Sequence, residues 1–267
     1  MKKIGLFSSL LFAAALPLLA ESESVRSLFC RENRFPELGK WEVGGYASYR
    51  QLDEYYINQI DPKCFEGRYV DKKDKRSETT FTPYARYGVY DNLTLYSKVP
   101  IDFVSSDVKG SQAGFNDIAV GMELLAYEYT YRYPWVVPYI EVTFPTGNDR
   151  NYMGLGKVDP IFGIAVGTTT FDVYHWILDG RYDANAINDG RFEGAAAFIW
   201  DLSDQFSVLA EAKIMEKTPG STKDVPAYFN GGISYRPSEM LTVNLYGGTS
   251  VNADENGRGT VKIAYNF

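Results

Sequence analysis

Apolar and polar residues alternate along most of the chain after residue 40. Val261, Ile263, Tyr265 and Phe267 share one face of the last predicted strand, and the residues between them share the other. This period of two is typical of β-strands. The pattern predicts twelve strands, at 41–54, 79–89, 93–103, 116–127, 135–145, 159–169, 173–183, 192–200, 205–215, 226–236, 240–250 and 259–267.

The connections between these strands alternate in length. Short polar turns fall at 89–93, 168–172, 201–205 and 236–240, and longer connections at 55–78, 104–115, 146–158, 184–191, 216–225 and 251–258. Short turns at one end and long loops at the other are typical of outer-membrane barrels. The predicted fold class is therefore all-β, a transmembrane antiparallel β-barrel of twelve strands with short periplasmic turns and longer extracellular loops. Residues 128–134 are the exception, a long connection where a short turn is expected.

A soluble β-sandwich would show the same alternation of apolar and polar residues in its strands. The positions of the tryptophans favour a barrel instead. Trp41, Trp135, Trp176 and Trp200 all lie near strand ends that the predicted topology places on the periplasmic side. This placement predicts an aromatic girdle at the membrane interface. Trp135 has the wrong parity for its strand, which leaves its orientation open.

The first residues have the pattern of a secretory signal peptide, with Lys2 and Lys3 before an apolar run from Ile4 to Ala20. Cleavage is predicted after Ala20 or Ser22. An uncleaved membrane anchor is the alternative, although the run is short for a span. We therefore divide the chain into a signal peptide at 1–20, an N-terminal periplasmic or lumenal segment at 21–40, and an outer-membrane barrel at 41–267.

Charge and hydropathy limit the partners. Removing Lys2 and Lys3 with the signal peptide changes the formal charge from −7 to −9, and an acidic balance argues against nucleic acid as a partner. The mean hydropathy of −0.26 resembles that of a soluble protein, but a barrel presents only alternate residues to lipid. The basic residues of DKKDKRSE (71–78) fall in the longest predicted outer loop. They would either contact lipopolysaccharide or form a solvated charged loop.

The C-terminal strand has a role in assembly as well as in the sheet. A closed barrel pairs its last strand with its first, because an open edge would leave backbone polar groups in lipid. Val261, Ile263, Tyr265 and Phe267 resemble the C-terminal signal of bacterial outer-membrane proteins. That resemblance implies the barrel assembly machinery and outer-membrane lipids as partners, and the bacterial outer membrane as the location.

Four segments also resemble one family, in this order: FTPYARYGVYDNLTLYSKVPIDF (81–103), GFNDIAVGMELLAY (114–127), PYIEVTFPTGND (138–149) and GLGKVDPIFGIAVGTTTF (154–171). They are similar to the outer-membrane family named for the meta-pathway of phenol degradation, whose members are often described as transporters. The markers are a Gly-x-x-Asp before one strand and a Pro-Thr-Gly after the next. The family often has a second glycine where this chain has Asn116. The resemblance covers residues 79–267 and implies a barrel and transport, without identifying the substrate.

Charged residues at predicted lumen-facing positions are the candidate pore lining. Such charges would be costly if dry and unpaired, so they must be hydrated or paired. If these charges are hydrated, they line a polar pore and tune permeation. If they are paired with one another, they fill a narrow barrel that is essentially closed. The candidates are Glu42, Arg50, Arg86, Lys98, Asp102, Asp117, Glu123, Glu141, His175, Asp179, Arg181, Asp183, Glu193, Glu211, Lys213, Arg236 and Lys262.

An enzymatic function would depend on His175, the only histidine. Outer-membrane lipid hydrolases use a histidine together with a serine at a substrate-accessible face, whereas parity points His175 into the lumen. We therefore predict no catalytic residue and no enzyme. One histidine and two cysteines cannot form a soft metal site, so neither a metal nor another cofactor is predicted.

Cys30 and Cys64 are the only cysteines. In an exported protein they predict one disulfide, with free or intermolecularly paired thiols as the alternative. Because Cys30 precedes the first strand and Cys64 lies in an outer loop, this bond would require residues 24–40 to run through the lumen as a plug. The competing explanation is that the first strand is inverted or misplaced.

The predicted function is an outer-membrane channel or transporter for the passive passage of small solutes. The family resemblance suggests apolar or aromatic compounds. The alternative is a closed structural or surface-interaction barrel with an ion-paired lumen, and a lipid hydrolase is third.

Overall fold

The computed structural model describes residues 24–60, 69–107, 110–128, 134–147, 153–154, 156–184, 190–216, 225–253 and 255–267. Within this part of the chain, no helix is long and apolar enough to cross a membrane. The strand segments there are β1 (Trp41–Ile60), β2 (Tyr69–Tyr90), β3 (Leu93–Lys98), β4 (Ile101–Ser106), β5 (Gly110–Phe115), β6 (Ile118–Leu124), β7 (Trp135–Phe144), β8 (Asp159–Thr170), β9 (Tyr174–Asp183), β10 (Arg191–Ser203), β11 (Phe206–Met215), β12 (Ala227–Ser238), β13 (Leu241–Val251) and β14 (Glu255–Asn266).

These segments form one antiparallel sheet that closes on itself. β1 pairs with β2 on one side and with β14 on the other, so Val43 lies opposite both Ala85 and Tyr265. At the closure, the backbone amides of Trp41 and Phe267 each donate to the other's carbonyl oxygen at 2.9 Å. The predicted pairing of the last strand with the first is confirmed, and no sheet edge is left there for lipid.

Two barrel strands are interrupted, so the segments amount to twelve strands as predicted. β3 and β4 both pair with β2 and are separated by Val99 and Pro100, while β5 and β6 are separated by Asn116 and Asp117. Across the two breaks β3 pairs with β6, and β4 with β5. Pro100 has no amide to donate to the ladder, but its carbonyl accepts from the amide of Asn116 at 2.9 Å.

The predicted loops at 55–78 and 104–115 are too long. β1 and β2 continue as a hairpin in which Ile57 pairs with Lys72 and Ile60 with Tyr69, and β4 and β5 occupy most of 104–115. The DKKDKRSE run is therefore part of β2 rather than a loop. The run does not alternate apolar with polar residues, as expected of a hairpin that extends beyond the membrane, where neither face of a strand contacts lipid.

The two faces of the wall differ as a membrane barrel requires. On β14, Val261 and Ile263 are exposed on the outside, whereas Thr260 and Lys262 are buried on the inside. Trp41, Trp176 and Trp200 are exposed on the outer face. Trp135 is not part of this girdle.

Trp135 is 6% exposed and lies on the inner face of β7, together with Val137 and Tyr139. A Cβ added to Gly167 would lie 2.2 Å from the Trp135 ring, so the indole lies over that glycine. Trp135 therefore points into the lumen, on the same face of β7 as Val137 and Tyr139.

Tight turns connect strands at the end of the barrel that contains Trp41 and Phe267, which we call the turn end; the opposite end is the loop end. The turns include Asp91–Asn92, Asp204–Gln205 and Glu239–Met240. In the turn before β9, Phe171 and Asp172 have φ of 55° and 60°, as the hairpin turn with two left-handed residues requires. Residues 129–133 of the long connection at this end lie outside the described part.

Candidate functional site

The N-terminal segment, residues 24–40, lies inside the barrel. It starts at the turn end, where Asn266 Nδ2 donates to Ser24 Oγ at 3.2 Å. It reaches deeper at Phe29, whose ring is contacted by Lys213 and Arg258 at 5.3 and 5.5 Å from its centroid. It then returns to the turn end, where the Gly39 amide donates to the Gly88 carbonyl at 2.8 Å. The segment is therefore a loop inserted into the lumen.

Carboxylates of the wall bind the backbone of this loop. Glu211 accepts from the Ser27 hydroxyl and from the amides of Leu28 and Phe29, at 2.8 and 3.3 Å for the amides. Asp179 accepts from the amide of Arg31 at 2.8 Å. Amides outside a sheet ladder need such acceptors when they are buried, and these carboxylates supply them.

Arg31 connects the loop to the opposite wall. Its guanidinium lies 2.9 Å from Glu123 Oε1 and 3.2 Å from Glu141 Oε2. The same group lies about 5 Å from the ring centroids of Tyr96 and Tyr139. The planar guanidinium suits the carboxylates and the tyrosines alike, because it can form ion pairs in its plane and lie with its face against aromatic rings.

The wall's own charges are paired around this contact. Arg86 bridges Glu42 at 2.9 Å and Glu123 at 3.0 Å. Lys98 Nζ lies 2.6 Å from Glu141 Oε2. Nε of Arg181 donates to Glu193 at 2.6 Å. Much of the lumenal charge is thus paired.

Tyrosine rings narrow the lumen by lying over inward-facing glycines. An added Cβ would lie 2.2 Å from the Tyr96 ring at Gly121 and 2.1 Å from the Tyr139 ring at Gly163. The Tyr139 hydroxyl also donates to Asp179 at 2.8 Å. Glycine is required at these positions because the ring occupies the space of a side chain.

Around the inserted loop, the described residues bound three cavities. The loop-end cavity has an empty volume of about 1040 Å³ and is bounded by Arg50, Asp102, Lys213 and Arg258, among others. The middle cavity, about 820 Å³, lies beside Arg31 and Lys262. The turn-end cavity, about 740 Å³, is bounded by Arg26, Arg34, Asp201 and Arg236.

The predicted lining residues divide into groups. Those that bound a cavity are Glu42, Arg50, Arg86, Lys98, Asp102, Arg181, Lys213, Arg236 and Lys262. Those that instead pair with these residues or bind the inserted loop are Glu123, Glu141, Asp179, Glu193 and Glu211. Asp183 lies beside Arg191 at 3.3 Å.

Asp117 does not bound any of the three cavities. Its Oδ1 accepts from the Gly147 amide at 2.8 Å, and the adjacent Thr146 Oγ1 accepts from the Ile118 amide at 2.9 Å. The Gly-x-x-Asp and Pro-Thr-Gly markers therefore contact each other. Asp117 fixes the start of a loop-end connection.

His175 points into the lumen near the turn end. Its Nδ1 lies 2.9 Å from Thr169 Oγ1 and its Nε2 lies 2.7 Å from Asp201 Oδ2. Asp201 also accepts from Ser207 at 2.7 Å and contacts Arg26. The histidine is thus part of the network that holds the first residues of the inserted loop.

Cys30 is buried among Ile177, Ala197 and Ile199. Within the described residues it forms no disulfide. Cys64 lies outside them, so the pairing of the two cysteines stays a prediction.

Sequence reasoning missed several of the charges in the lumen. Arg31 and Arg26 belong to a segment with no periodicity, so nothing in the sequence indicates their partners. Arg258 could have been found, because it has the same parity as Lys262 on the last strand, which begins at Glu255 rather than at the predicted 259.

Comparisons with known proteins identify a matching family and similar solved structures. The family described as "Putative MetA-pathway of phenol degradation" matches residues 65–267. Among solved structures, the COG4313 outer membrane channel from Pseudomonas putida F1 is similar with a TM-score of 0.65 and 15% identity, covering 86% of this chain and 96% of that one.

Two other barrels are similar at lower scores. The KdgM porin has a TM-score of 0.51 at 9% identity, covering 84% of this chain and 99% of that one. The translocator domain of the autotransporter NalP from Neisseria meningitidis has a TM-score of 0.52 at 12% identity, covering 85% and 88%.

No curated protein sequence matches the chain. The structural likenesses show the fold, which is that of bacterial outer-membrane barrels, and the matched residues show the family. The chain belongs to the family described as "Putative MetA-pathway of phenol degradation".

Proposed function

We propose that the protein is an outer-membrane channel for the passive passage of small solutes, with apolar or aromatic compounds as their class. The observation that carries the proposal is the free space in the lumen, where three cavities of about 1040, 820 and 740 Å³ remain around the inserted loop. A barrel evolved only as a closed scaffold would fill this space with side chains. The family's name supports aromatic compounds as the class of solute.

The inserted loop is the constriction of this channel. Leu28 and Phe29 bound both the loop-end and the middle cavity, so a solute moving between them passes these side chains. Val25 and Ser27 bound the middle cavity, whereas Ser24 and Arg26 bound the turn-end cavity. The backbone of residues 24–27 therefore separates the two, and passage requires a small movement of this stretch.

The closed structural barrel is the second candidate, and the paired charges favour it. Arg31 bridges Glu123 and Glu141, and Arg86 bridges Glu42 and Glu123. Such a network would resist the movement that passage needs. The two candidates differ in whether the folded protein conducts.

Single-channel recording of the refolded protein in planar bilayers tests the proposal. We expect small, steady openings, and larger ones from a variant that lacks residues 24–36. Openings that appear only after addition of reductant would support a Cys30–Cys64 bond that holds the loop in place. Silence from both proteins, each shown to be folded by its heat-dependent migration on a denaturing gel, would overturn the channel and favour the closed barrel.

We also propose that residues 1–20 direct export and that the C-terminal strand directs assembly through the barrel assembly machinery, in contact with outer-membrane lipids and lipopolysaccharide. Val261, Ile263 and Phe267 are exposed on the outer face, where another protein could contact them before membrane insertion. Deletion of Phe267 should reduce the amount of assembled barrel in outer-membrane fractions, and an unchanged amount would contradict this role.

A further inference from the structure

The middle cavity combines aromatic rings with positive charge. Its aromatic boundary consists of Phe29, Tyr46, Tyr84, Tyr96 and Tyr139, and its cations are Arg31, Arg86, Lys98, Arg181 and Lys262. Glu42 is the acidic residue on this boundary. Tyrosine rings offer apolar faces to a flat organic solute.

Four of the five cations form ion pairs with nearby carboxylates. Arg86 contacts Glu42 and Glu123; Arg31 contacts Glu123 and Glu141; Lys98 contacts Glu141; and Arg181 contacts Glu193. Glu193 also pairs with Arg191 and Lys213. Lys262 is the remaining cation of the cavity boundary.

Lys262 forms no ion pair with a described residue, and the carboxylates of Glu42 and Glu32 act on it only from beyond ion-pair distance. Its residue is 8% exposed, and its Nζ donates to the carbonyl oxygen of Val25 at 2.6 Å. The Tyr84 ring centroid lies 5.6 Å from the same atom. An ammonium group has three donors, and a buried charge without a counter-ion is costly. An anion in the cavity would relieve that cost.

We propose that the middle cavity binds one aromatic monocarboxylate, whose carboxylate is held by Lys262 and whose ring lies among the tyrosines. A lysine ammonium without an ion pair suits one carboxylate, and the tyrosine rings suit the aromatic part. This inference rests on the proposed function, because the solute reaches the cavity from the loop end past Phe29. It narrows the solute class from aromatic compounds in general to their monoanions.

Titration calorimetry on the refolded, full-length mature protein tests the site, with benzoate, neutral benzamide and acetate as probes. We expect benzoate to bind, and benzamide and acetate each to bind about tenfold more weakly or worse, because each lacks one recognised part. Lys262→Met should weaken benzoate about tenfold or more and remove the preference over benzamide. Lys262→Arg should restore that preference, and Lys75→Met, which removes an exposed charge on β2, should change nothing.

Equal binding of benzoate and benzamide by the natural protein would overturn the proposal, as would unchanged benzoate binding in a folded Lys262→Met variant. Equal binding of acetate and benzoate would overturn its aromatic part. Bilayer recordings of the same preparations separate the two hypotheses. A conducting protein that does not bind benzoate contradicts this inference alone, whereas a silent protein that binds benzoate through Lys262 supports the site and contradicts the channel.

Discussion

The backbone amide of Leu28 donates a hydrogen bond of 2.8 Å to Glu211 Oε1, across 183 positions of sequence. The same oxygen accepts from the Ser27 hydroxyl and the Phe29 amide. One wall carboxylate therefore binds three donors of the inserted loop. Charge-assisted hydrogen bonds of this kind are stronger than neutral ones, at about 1.5–3 kcal/mol each. Glu211 therefore anchors the tip of the loop to the wall.

Replacing Glu211 with leucine should release the loop. The side chain has a similar size but accepts no hydrogen bond, so the loop should leave its position about tenfold to hundredfold more often. Cys30 reports this movement, because burial raises the pKa of its thiol and a buried, protonated thiol alkylates slowly. In a Cys64→Ser background, we expect Glu211→Leu to accelerate maleimide labelling of Cys30.

Two variants control this measurement. Glu211→Gln keeps an accepting oxygen and should give an intermediate rate, whereas Glu239→Gln removes a carboxyl from a turn between β12 and β13 and should leave the rate unchanged. If Glu211→Leu labels as slowly as the natural side chain, the carboxylate does not hold the loop.

Phe29 should limit conductance. Its ring lies where the loop-end and middle cavities meet, and Lys213 and Arg258 hold it there through contacts with its face. Each such contact contributes about 0.5–2 kcal/mol, so the ring stays in place and narrows the passage. Phe29→Ala joins the two cavities, and we expect a larger single-channel conductance in planar bilayers.

Phe103→Ala is the matched control, because Phe103 is exposed on the outer face and its loss leaves the lumen unchanged. Equal conductance of Phe29→Ala and the natural protein would show that the constriction lies elsewhere along the loop.

Gly163 should not tolerate alanine. The added Cβ would lie 2.1 Å from the Tyr139 ring, which must move and would lose its 2.8 Å hydrogen bond to Asp179. Overpacking of this kind costs about 1–3 kcal/mol. We expect Gly163→Ala to lower the temperature at which the barrel changes its migration on a denaturing gel.

Gly247→Ala makes the same change on the outer face, where an added Cβ has no heavy atom within 4 Å. It should leave that temperature unchanged or raise it, since alanine loses less conformational freedom than glycine. A similar decrease in both variants would mean that backbone freedom, rather than the tyrosine ring, requires glycine at 163.

The barrel could be predicted from the sequence because lipid constrains each strand by itself. On β14, the alternation of Val261 and Ile263 with Lys262 follows from the need to face lipid on one side only. Where this constraint ends, the prediction fails. The charged part of β2 lacks the alternation, so the pattern predicts a loop where the structure has a strand. The pattern also does not indicate the break at Pro100 within the barrel strand formed by β3 and β4.

The path of the N-terminal segment could not be predicted in the same way. Arg31 contacts Glu141 across 110 positions, and neither the periodicity nor the composition of residues 24–40 indicates such a partner. The lumenal parity of Lys262 could be predicted, but its lack of a carboxylate partner depends on where every other lumenal charge is placed. Pairing in a closed lumen is a property of the whole barrel.

The two family markers are expected to act together as one anchor. Asp117 Oδ1 accepts from the Gly147 amide, and Gly154 lies so close to Asp117 that an added Cβ would be 2.3 Å from the same oxygen. Gly154 also has a φ of 104°, which favours glycine. The carboxylate therefore shapes the connection between β7 and β8 at the loop end.

Asp117→Ala should loosen this connection while the strands stay paired. A buried amide without its acceptor costs about 1–3 kcal/mol, so the Gly147 amide should exchange its hydrogen about tenfold to hundredfold faster. Hydrogen–deuterium exchange with peptide resolution measures this change. Asp204→Ala, in a turn at the opposite end of the barrel, should leave exchange at Gly147 unaltered. If the exchange of Gly147 is the same in Asp117→Ala as in the natural protein, the two markers do not form an anchor. Faster exchange throughout β7 and β8 would instead show that Asp117 stabilises the strands themselves.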